Sequence, residues 1–245
     1  MFKARIKMEV LRELVEVIST LVSEVKLSIS KDGIDVKAVD PSHVAMLVLK
    51  VNKSAFEEFT GEPTEIGLDV EKLKEVLRLC KPGDIIDLQY DGGKNRLVLH
   101  VGKVTRHMAV VDPAGITDPK VPNVSPPGIA VVRMEELRQG IRGSESISDH
   151  VTLTLDTEGF TMHSEGETDR VDMKLPKEGL KRLEAKEPVR SMYPLDFFSN
   201  MVKSITSSEE ITLHVGNEYP LKIEFQLAGG KGEGRFLLAP RVEED

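Results

Sequence analysis

The chain contains an internal duplication with a constant offset of 126 residues. At this offset Met8 aligns with Met134 and Gly33 with Gly159, and the apolar positions from about residue 6 to residue 36 stay in register without a gap. Later segments align when the offset relaxes by a residue or two. Solenoid repeats have periods of about 20 to 50 residues. A period this much longer predicts two copies of a whole domain.

A proline-rich segment separates the two copies. Residues 112–128 hold five of the 13 prolines and show no sustained hydrophobic period, a composition typical of an extended connector. We therefore expect a first domain at residues 1–111, an interdomain connecting loop at 112–128 and a second domain at 129–245.

Each copy predicts the same order of secondary structure: a strand, an amphipathic helix, several alternating strands, a second helix and a final hairpin. The predicted helices span residues 8–20 and 69–80 in the first copy, and 134–144 and 194–205 in the second. Antiparallel strands with two helices per copy predict an α+β fold, with the helices together on one sheet face.

Two strands are predicted to lie at sheet edges, residues 104–111 in the first copy and 168–175 in the second. An unpaired edge can pair with another chain. A head-to-tail contact between unlike edges can close a ring of subunits.

Composition excludes several classes of protein. The chain is 40% hydrophobic and 30% charged, so a folded core is expected. The longest apolar run, residues 44–49, is far shorter than the roughly 20 residues of a membrane helix, and the charged N-terminus does not resemble a signal peptide. The single cysteine, Cys80, excludes an internal disulfide, and its apolar helical neighbours predict a buried thiol. These features predict a soluble cytoplasmic protein without a membrane partner.

The sequence shows no arrangement of residues that would carry catalysis. Its six histidines are scattered, without the pairing typical of zinc sites. Residues 229–235, GGKGEGR, resemble a phosphate loop but lack the Lys-Ser/Thr pair and the following helix, so they predict a hairpin turn. We expect a protein that is not an enzyme and that needs no cofactor and no metal. A DNA-processing enzyme is the alternative from another class, and turnover on DNA by the pure protein would reveal it.

Basic residues recur on equivalent helices although the net charge is −8. They fall within a narrow arc or one helical turn apart in both copies: Lys74, Arg78, Lys81, Arg138 and Arg142. Arg138 is the repeat mate of Arg12. One interpretation is an ordinary solvated face; the other is a local positive surface that suits a duplex phosphate backbone.

Three stretches are unusually apolar for exposed positions: residues 39–46, 120–124 and 235–245. They are either edges of the core or parts of an apolar patch that receives a peptide of a partner protein.

These pieces, in this order, resemble the archaeal and eukaryotic sliding clamp family, proliferating cell nuclear antigen. The resembling segments are MFKARI, DGIDVKAVDPSHVAMLVL, the proline-rich connector, YPLKIEF and FLLAPRVEED. The resemblance spans the whole chain. It implies a ring of three subunits, each with two similar domains, in which helices line a hole around duplex DNA and sheets form the outside.

The function that the resemblance implies is that of a DNA polymerase sliding clamp, or processivity factor. The alternative is a checkpoint-type clamp or one subunit of a heterotrimeric ring. The implied partners are double-stranded DNA bound without sequence preference, further copies of the chain in a homotrimer, an ATP-driven clamp loader (replication factor C), DNA polymerase, flap endonuclease and DNA ligase. The implied location is the nucleoid within the cytoplasm.

The resemblance also implies two sets of site residues. The family's front-face pocket binds a short motif with a Gln, an aliphatic residue and paired aromatics. Its matching positions are Val39, Ser42, His43, Val44, Met46, Val121, Pro122, Pro220, Leu237, Leu238, Ala239 and Pro240. The family's basic inner positions match Arg12, Arg78, Arg142 and Lys203, and Lys74, Lys81 and Arg138 are basic nearby. Glu13 and Glu75 stand where relatives often carry lysine.

Overall fold

The computed structural model describes residues 1–241, so the end of the predicted acidic tail, residues 242–245, lies outside the described residues. Contacts divide the chain into two compact units. Unit 1 comprises residues 1–120 and 226–234, and unit 2 comprises residues 121–225 and the chain from residue 235 onward.

In unit 1 two α-helices accompany two runs of antiparallel strands. The helices are α1 (Met8–Ser19) and α2 (Val70–Leu77). The strands are β1 (Phe2–Lys7), β2 (Glu24–Ser30), β3 (Gly33–Val39), β4 (Ala45–Asn52), β5 (Glu58–Gly61), β6 (Thr64–Asp69), β7 (Ile85–Asp91), β8 (Arg96–Val101) and β9 (Val104–Ala109). Their spatial orders are β5-β1-β7-β8-β9 and β4-β3-β2-β6.

The second half of the chain repeats this plan. Its helices are α3 (Met134–Ser144) and α4 (Leu195–Ser204). Its strands are β10 (Gly128–Arg133), β11 (His150–Leu155), β12 (Gly159–Glu165), β13 (Arg170–Pro176), β14 (Arg182–Glu184), β15 (Val189–Pro194), β16 (Glu210–Val215), β17 (Leu221–Leu227) and β18 (Gly232–Leu238). Their orders, β14-β10-β16-β17-β18 and β13-β12-β11-β15, match those of the first half strand for strand.

The structure therefore confirms the duplicated α+β fold predicted from the repeat. The first four elements of each half, a strand, a helix and two strands, begin at residues 2, 8, 24 and 33 and again at 128, 134, 150 and 159. Each pair of starts is separated by the 126-residue offset read from the sequence.

The helices pack where their apolar stripes meet the sheets. In α1 the side chains of Leu11, Leu14 and Ile18 are buried at helical spacing, and burial of each contributes about 1.5 to 3 kcal/mol. In α3 a Cβ atom at Gly140 would lie 2.4 Å from the Met162 Cε atom. The glycine at position 140 therefore lets α3 approach strand β12 closely.

The second helix of the first copy is shorter than the prediction of residues 69–80. Helix α2 ends at Leu77, with Arg78 as its C-cap. Lys81 precedes Pro82, and the residue before a proline is disfavoured in the helical region, so the helix must end before it. Cys80 lies beyond the helix and is half-buried rather than buried. Partial burial raises the pKa of its thiol.

The edge strands and the C-terminal hairpin are as predicted. β9 lies at the end of its sheet beside β8, and β13 lies at the end of its sheet beside β12. The GGKGEGR segment forms the turn between β17 and β18 and the start of β18. Ala228, Gly229 and Gly230 in this turn have φ values of 53°, 64° and 82°. A turn with three successive positive φ values suits the glycines at positions 229 and 230.

Candidate peptide and nucleic-acid interfaces

The turn between β3 and β4 is held by the side chain of Asp40. This carboxylate is only 3% exposed. Its Oδ1 atom accepts hydrogen bonds from the backbone N–H groups of Val44 (2.7 Å) and Ala45 (2.6 Å), and its Oδ2 atom accepts one from Ser42 (2.8 Å). The turn places His43 at a φ of 57°. Asp40 was not among the predicted site residues, although an Asp two residues before a Ser is a common turn former.

The predicted pocket residues of unit 1 lie on and beside this turn. Ser42 and His43 are exposed, and Val39, Val44 and Met46 are half-buried. Val39 is paired with Met46 across the two strands. A groove of about 480 Å³ lies beside the turn, and its lining includes Val39, His43 and residues 115–117 of the connector. The Asp40 turn and the connector thus border one groove within unit 1.

In unit 2 the predicted pocket residues differ in exposure. Pro122 is exposed, and Val121, Pro220, Ala239 and Pro240 are half-buried. Beside Pro220, Tyr219 is 44% exposed, one of the few large hydrophobic side chains that are exposed among the described residues. The Tyr219 carbonyl accepts a hydrogen bond from the buried Tyr193 hydroxyl at 3.0 Å. Tyr219 was not predicted as a site residue. Its position next to Pro220, which matches a pocket position of the family, could have indicated it from the sequence.

Leu237 and Leu238 do not form an open surface as the prediction of a pocket implied. Leu237 is 5% exposed and Leu238 is 0% exposed. They are the last two residues of strand β18, whose final three positions are all buried. Of the four predicted residues from Leu237 to Pro240, Ala239 and Pro240 are the two that are partly exposed.

Four of the seven predicted basic residues are exposed and make no ion pair or side-chain hydrogen bond within residues 1–241: Arg12, Arg78, Lys81 and Arg142. Arg12 lies on α1, Arg78 caps α2, and Arg142 lies in the last turn of α3. Lys81 was predicted on the helix but lies past its end, where its backbone N–H donates to Asp84 at 2.7 Å.

The other three predicted basic residues are held by protein groups. Lys74 pairs with Glu71 at 2.7 Å. Lys203 pairs with Glu145, whose pKa is lowered mainly by this hydrogen bond and also by one from Ser199. The Arg138 guanidinium donates to the carbonyl of Ile205 at the C-terminal end of α4. Contacts of this kind reduce the charge that each side chain can offer to a phosphate.

The two acidic residues at expected lysine positions lie in different environments. Glu13 is buried, with 5% of its surface exposed. Its Oε2 atom accepts a hydrogen bond at 3.0 Å from the backbone N–H of Ala228, within unit 1. Glu75 is 54% exposed and pairs with Arg106 of the edge strand β9 at 2.9 Å. Glu13 is therefore a structural residue, whereas Glu75 lies on the solvent side of α2.

Within residues 1–241 no group of three or more His, Cys, Asp or Glu side chains is arranged to hold a metal ion. Over the same residues, the helices are too short and too polar to cross a membrane.

The fold and these surfaces define a class: a duplicated protein in which each half has a pair of helices and two antiparallel strand runs, with β9 and β13 among the strands at sheet ends. The family model for the proliferating cell nuclear antigen N-terminal domain matches residues 1–111. The model for the C-terminal domain of the same family matches residues 128–241. The chain belongs to the proliferating cell nuclear antigen family of sliding clamps.

Relatives match over the full length. The chain is 36% identical to proteins named DNA polymerase sliding clamp from Methanocella arvoryzae and Thermoplasma volcanium, with 100% of each chain covered. Among solved structures it is similar to the one described as "C-terminal region of FEN-1 bound to A. fulgidus PCNA", with a TM-score of 0.94, 28% identity and 100% coverage of both chains.

Proposed function

We propose that this chain is a DNA polymerase sliding clamp that encircles duplex DNA as a homotrimer and holds replication and repair proteins at its surface. The observation that carries the DNA part of this proposal is that both halves have exposed arginines on or directly after their helices that make no ion pair within residues 1–241: Arg12 and Arg78 in the first, Arg142 in the second. A chain with a net charge of −8 thus keeps free cations on its helices.

A sliding clamp needs weak, sequence-independent attraction to DNA. A small number of free cations suits that need, because each phosphate that is neutralised adds to the affinity and steepens the slope of log K against log salt concentration by about 0.9. Lys81 is the fourth predicted cation without an ion pair in the described part of the chain, and Lys74, Arg138 and Lys203 are expected to contribute less because protein groups hold them. We infer a DNA contact that depends on salt but lacks base readout.

The assembly that we propose is a ring formed by joining β9 of one copy to β13 of the next. Both are end strands of their sheets, and a heterologous contact between unlike edges generates a closed ring when the rotation fits. A trimeric mass for the pure protein would support the homotrimer. A monomer at high micromolar concentration would instead favour the alternative, one subunit of a heterotrimeric ring.

The partners that we propose follow from the groove and from the relatives. The A. fulgidus clamp binds the C-terminal region of FEN-1, and we propose that this chain binds a flap endonuclease in the same way, at the Asp40 turn and the connector. The clamp loader, DNA polymerase and DNA ligase are proposed partners on the family's precedent. We propose that no residue has a catalytic role. We also propose that the protein is located at the nucleoid in the cytoplasm.

The experiment that tests the DNA contact replaces Arg12, Arg78 and Arg142 with Ala. Loader-dependent processivity on a primed circle is measured over a range of salt. We expect loss of processivity at lower salt than for the wild type, because three phosphate contacts per subunit are removed. The matched control replaces three exposed lysines in loops, Lys31, Lys94 and Lys186, with Ala, which changes the net charge equally. Equal effects of the two triple variants would contradict the assignment of the helices to DNA.

A further inference from the structure

The first half of the connector is attached to the sheet of unit 1. The Val111 N–H donates to the Gly67 carbonyl of β6 at 2.8 Å. A Cβ atom on Gly67 would lie 2.4 Å from the Val111 oxygen and 3.1 Å from the Ile116 Cδ1 atom, so the glycine allows this close approach. Pro119 is buried. Residues 111–119 therefore follow the surface of unit 1.

An ion cluster lies at the end of this attached segment. The Lys26 Nζ atom is 3.3 Å from Glu65 Oε1 and 3.7 Å from Asp118 Oδ2. The Lys37 Nζ atom is 3.8 Å from the other Asp118 oxygen. Lys26, Lys37 and Glu65 belong to β2, β3 and β6, whereas Asp118 belongs to the connector. We call these four residues the connector anchor.

The partners in the connector anchor differ in exposure, because the Asp118 side chain is 54% exposed whereas the Lys26 side chain is mostly buried. The Lys26 side chain is only 12% exposed, and an ammonium that is mostly removed from water requires compensating charge. Glu65 supplies one carboxylate from a neighbouring strand. Asp118 supplies the second, and it also neutralises Lys37. It can do so only while the connector lies on the sheet.

The anchor adjoins the groove of the candidate peptide site. Lys37 lines the same groove as Val39 and His43, and residues 115–117, just before Asp118, line it as well. Asp118 also precedes Val121 by three residues, a span of at most about 10 Å of extended chain. The position of Asp118 thus limits where the connector wall and Val121 can lie.

We propose that the connector anchor fixes the connector on unit 1 and thereby positions the wall of the peptide groove. Asp118, Lys26 and Lys37 are then positioning residues for partner binding, and partner affinity depends on salt through them. This inference rests on the proposed peptide-binding function of the groove. The anchor itself is a property of the free protein and is measurable without a peptide.

The first test measures backbone hydrogen exchange in the full-length protein. Asp118→Asn should accelerate exchange at residues 111–118, where the wild-type amides of Val111, Gly115 and Ile116 are hydrogen-bonded. Asp118→Glu, which keeps the charge, should restore slow exchange. Asp35→Asn is the matched control because Asp35 is exposed on β3 and makes no ion pair within the described residues. Unchanged exchange in Asp118→Asn would overturn the anchor.

The second test titrates a synthetic peptide containing a Gln, an aliphatic residue and two adjacent aromatics by calorimetry. At low salt, Asp118→Asn should bind about two- to fivefold more weakly than the wild type. The difference should vanish near 1 M salt, where screening acts within about 3 Å. Accelerated exchange with unchanged peptide affinity would overturn the positioning role. Failure of the wild type to bind the peptide would overturn the peptide site, and with it the positioning role, while the exchange result would still decide the anchor.

Discussion

Lysine substitutions at Glu13 and Glu75 should have opposite consequences, although the family resemblance treats the two positions alike. The Glu13→Lys variant loses the hydrogen bond that the Ala228 N–H donates to the Glu13 carboxylate, and an ammonium group takes the place of a carboxylate in a residue that is 5% exposed. Loss of one partner from a buried charged contact costs about 3 to 5 kcal/mol. For a chain of this size, each kcal/mol lowers the Tm by about 2 to 4 °C. We expect a Tm lower by roughly 6 to 20 °C.

In Glu75→Lys the replaced side chain is 54% exposed and loses only its ion pair with Arg106. Such surface pairs contribute about 0 to 1 kcal/mol, so the Tm should change by no more than a few degrees. The new cation lies on the solvent side of α2, the helix that Arg78 caps. It should strengthen DNA association and steepen its salt dependence by about 0.9 per phosphate contacted.

Differential scanning calorimetry and a salt series of DNA association distinguish the two variants. Hydrogen exchange at residues 226–234 should rise in Glu13→Lys, because the turn loses its side-chain acceptor, and should stay unchanged in Glu75→Lys. A Glu13→Lys protein that melts like the wild type and binds DNA more tightly would show that position 13 faces DNA and that the burial argument is wrong.

Three further substitutions test the turn, a helix cap and the peptide groove. Asp40→Ala removes three charge-assisted hydrogen bonds, each worth about 1.5 to 3 kcal/mol. Peptide affinity measured by calorimetry should therefore fall, while the mass of the oligomer in solution stays unchanged. Unaltered affinity would show that the turn is not part of the peptide site. Asp69→Ala removes the acceptor for the Lys72 N–H at the start of α2 and should cost about 1 kcal/mol at neutral pH. That backbone hydrogen bond lowers the pKa of Asp69 from its ordinary 3.8. The stabilisation is therefore present above pH 3.8 and is lost as the pH falls through the lower pKa of the folded state. The free energies of unfolding of variant and wild type should converge in strong acid, and a difference that does not change with pH would refute the cap. Ala239→Asp places a charge at a half-buried position of the predicted pocket and should weaken the peptide tenfold or more, given about 1.5 to 3 kcal/mol per buried apolar anchor; an intact oligomer with unchanged affinity would mean that the pocket lies elsewhere.

Local and periodic features of this protein could be read from the sequence alone. The 126-residue offset correctly predicted where equivalent helices and strands begin in the two halves, because the same spacing of apolar residues specifies the same element in each copy. The edge positions of β9 and β13 were also predicted from the sequence, although these two strands are not equivalent in the repeat. The one wrong helix end was also a local matter, since the proline at position 82 already stood in the sequence.

The environments of individual site residues were decided by the tertiary structure. Glu13 and Ala228 are 215 residues apart, and Arg138 and Ile205 are 67 apart. The pattern around Glu13 resembles that of a solvated helix face, and nothing near it in sequence shows that a turn from the other end of the chain covers it. For Leu237 and Leu238 the sequence left two alternatives open, an edge of the core or an exposed apolar patch, and their burial in β18 decides for the core. Burial and ion pairing depend on which atoms the fold brings within a few ångströms of each other. Hydrophobic periodicity does not indicate which distant residues those partners are.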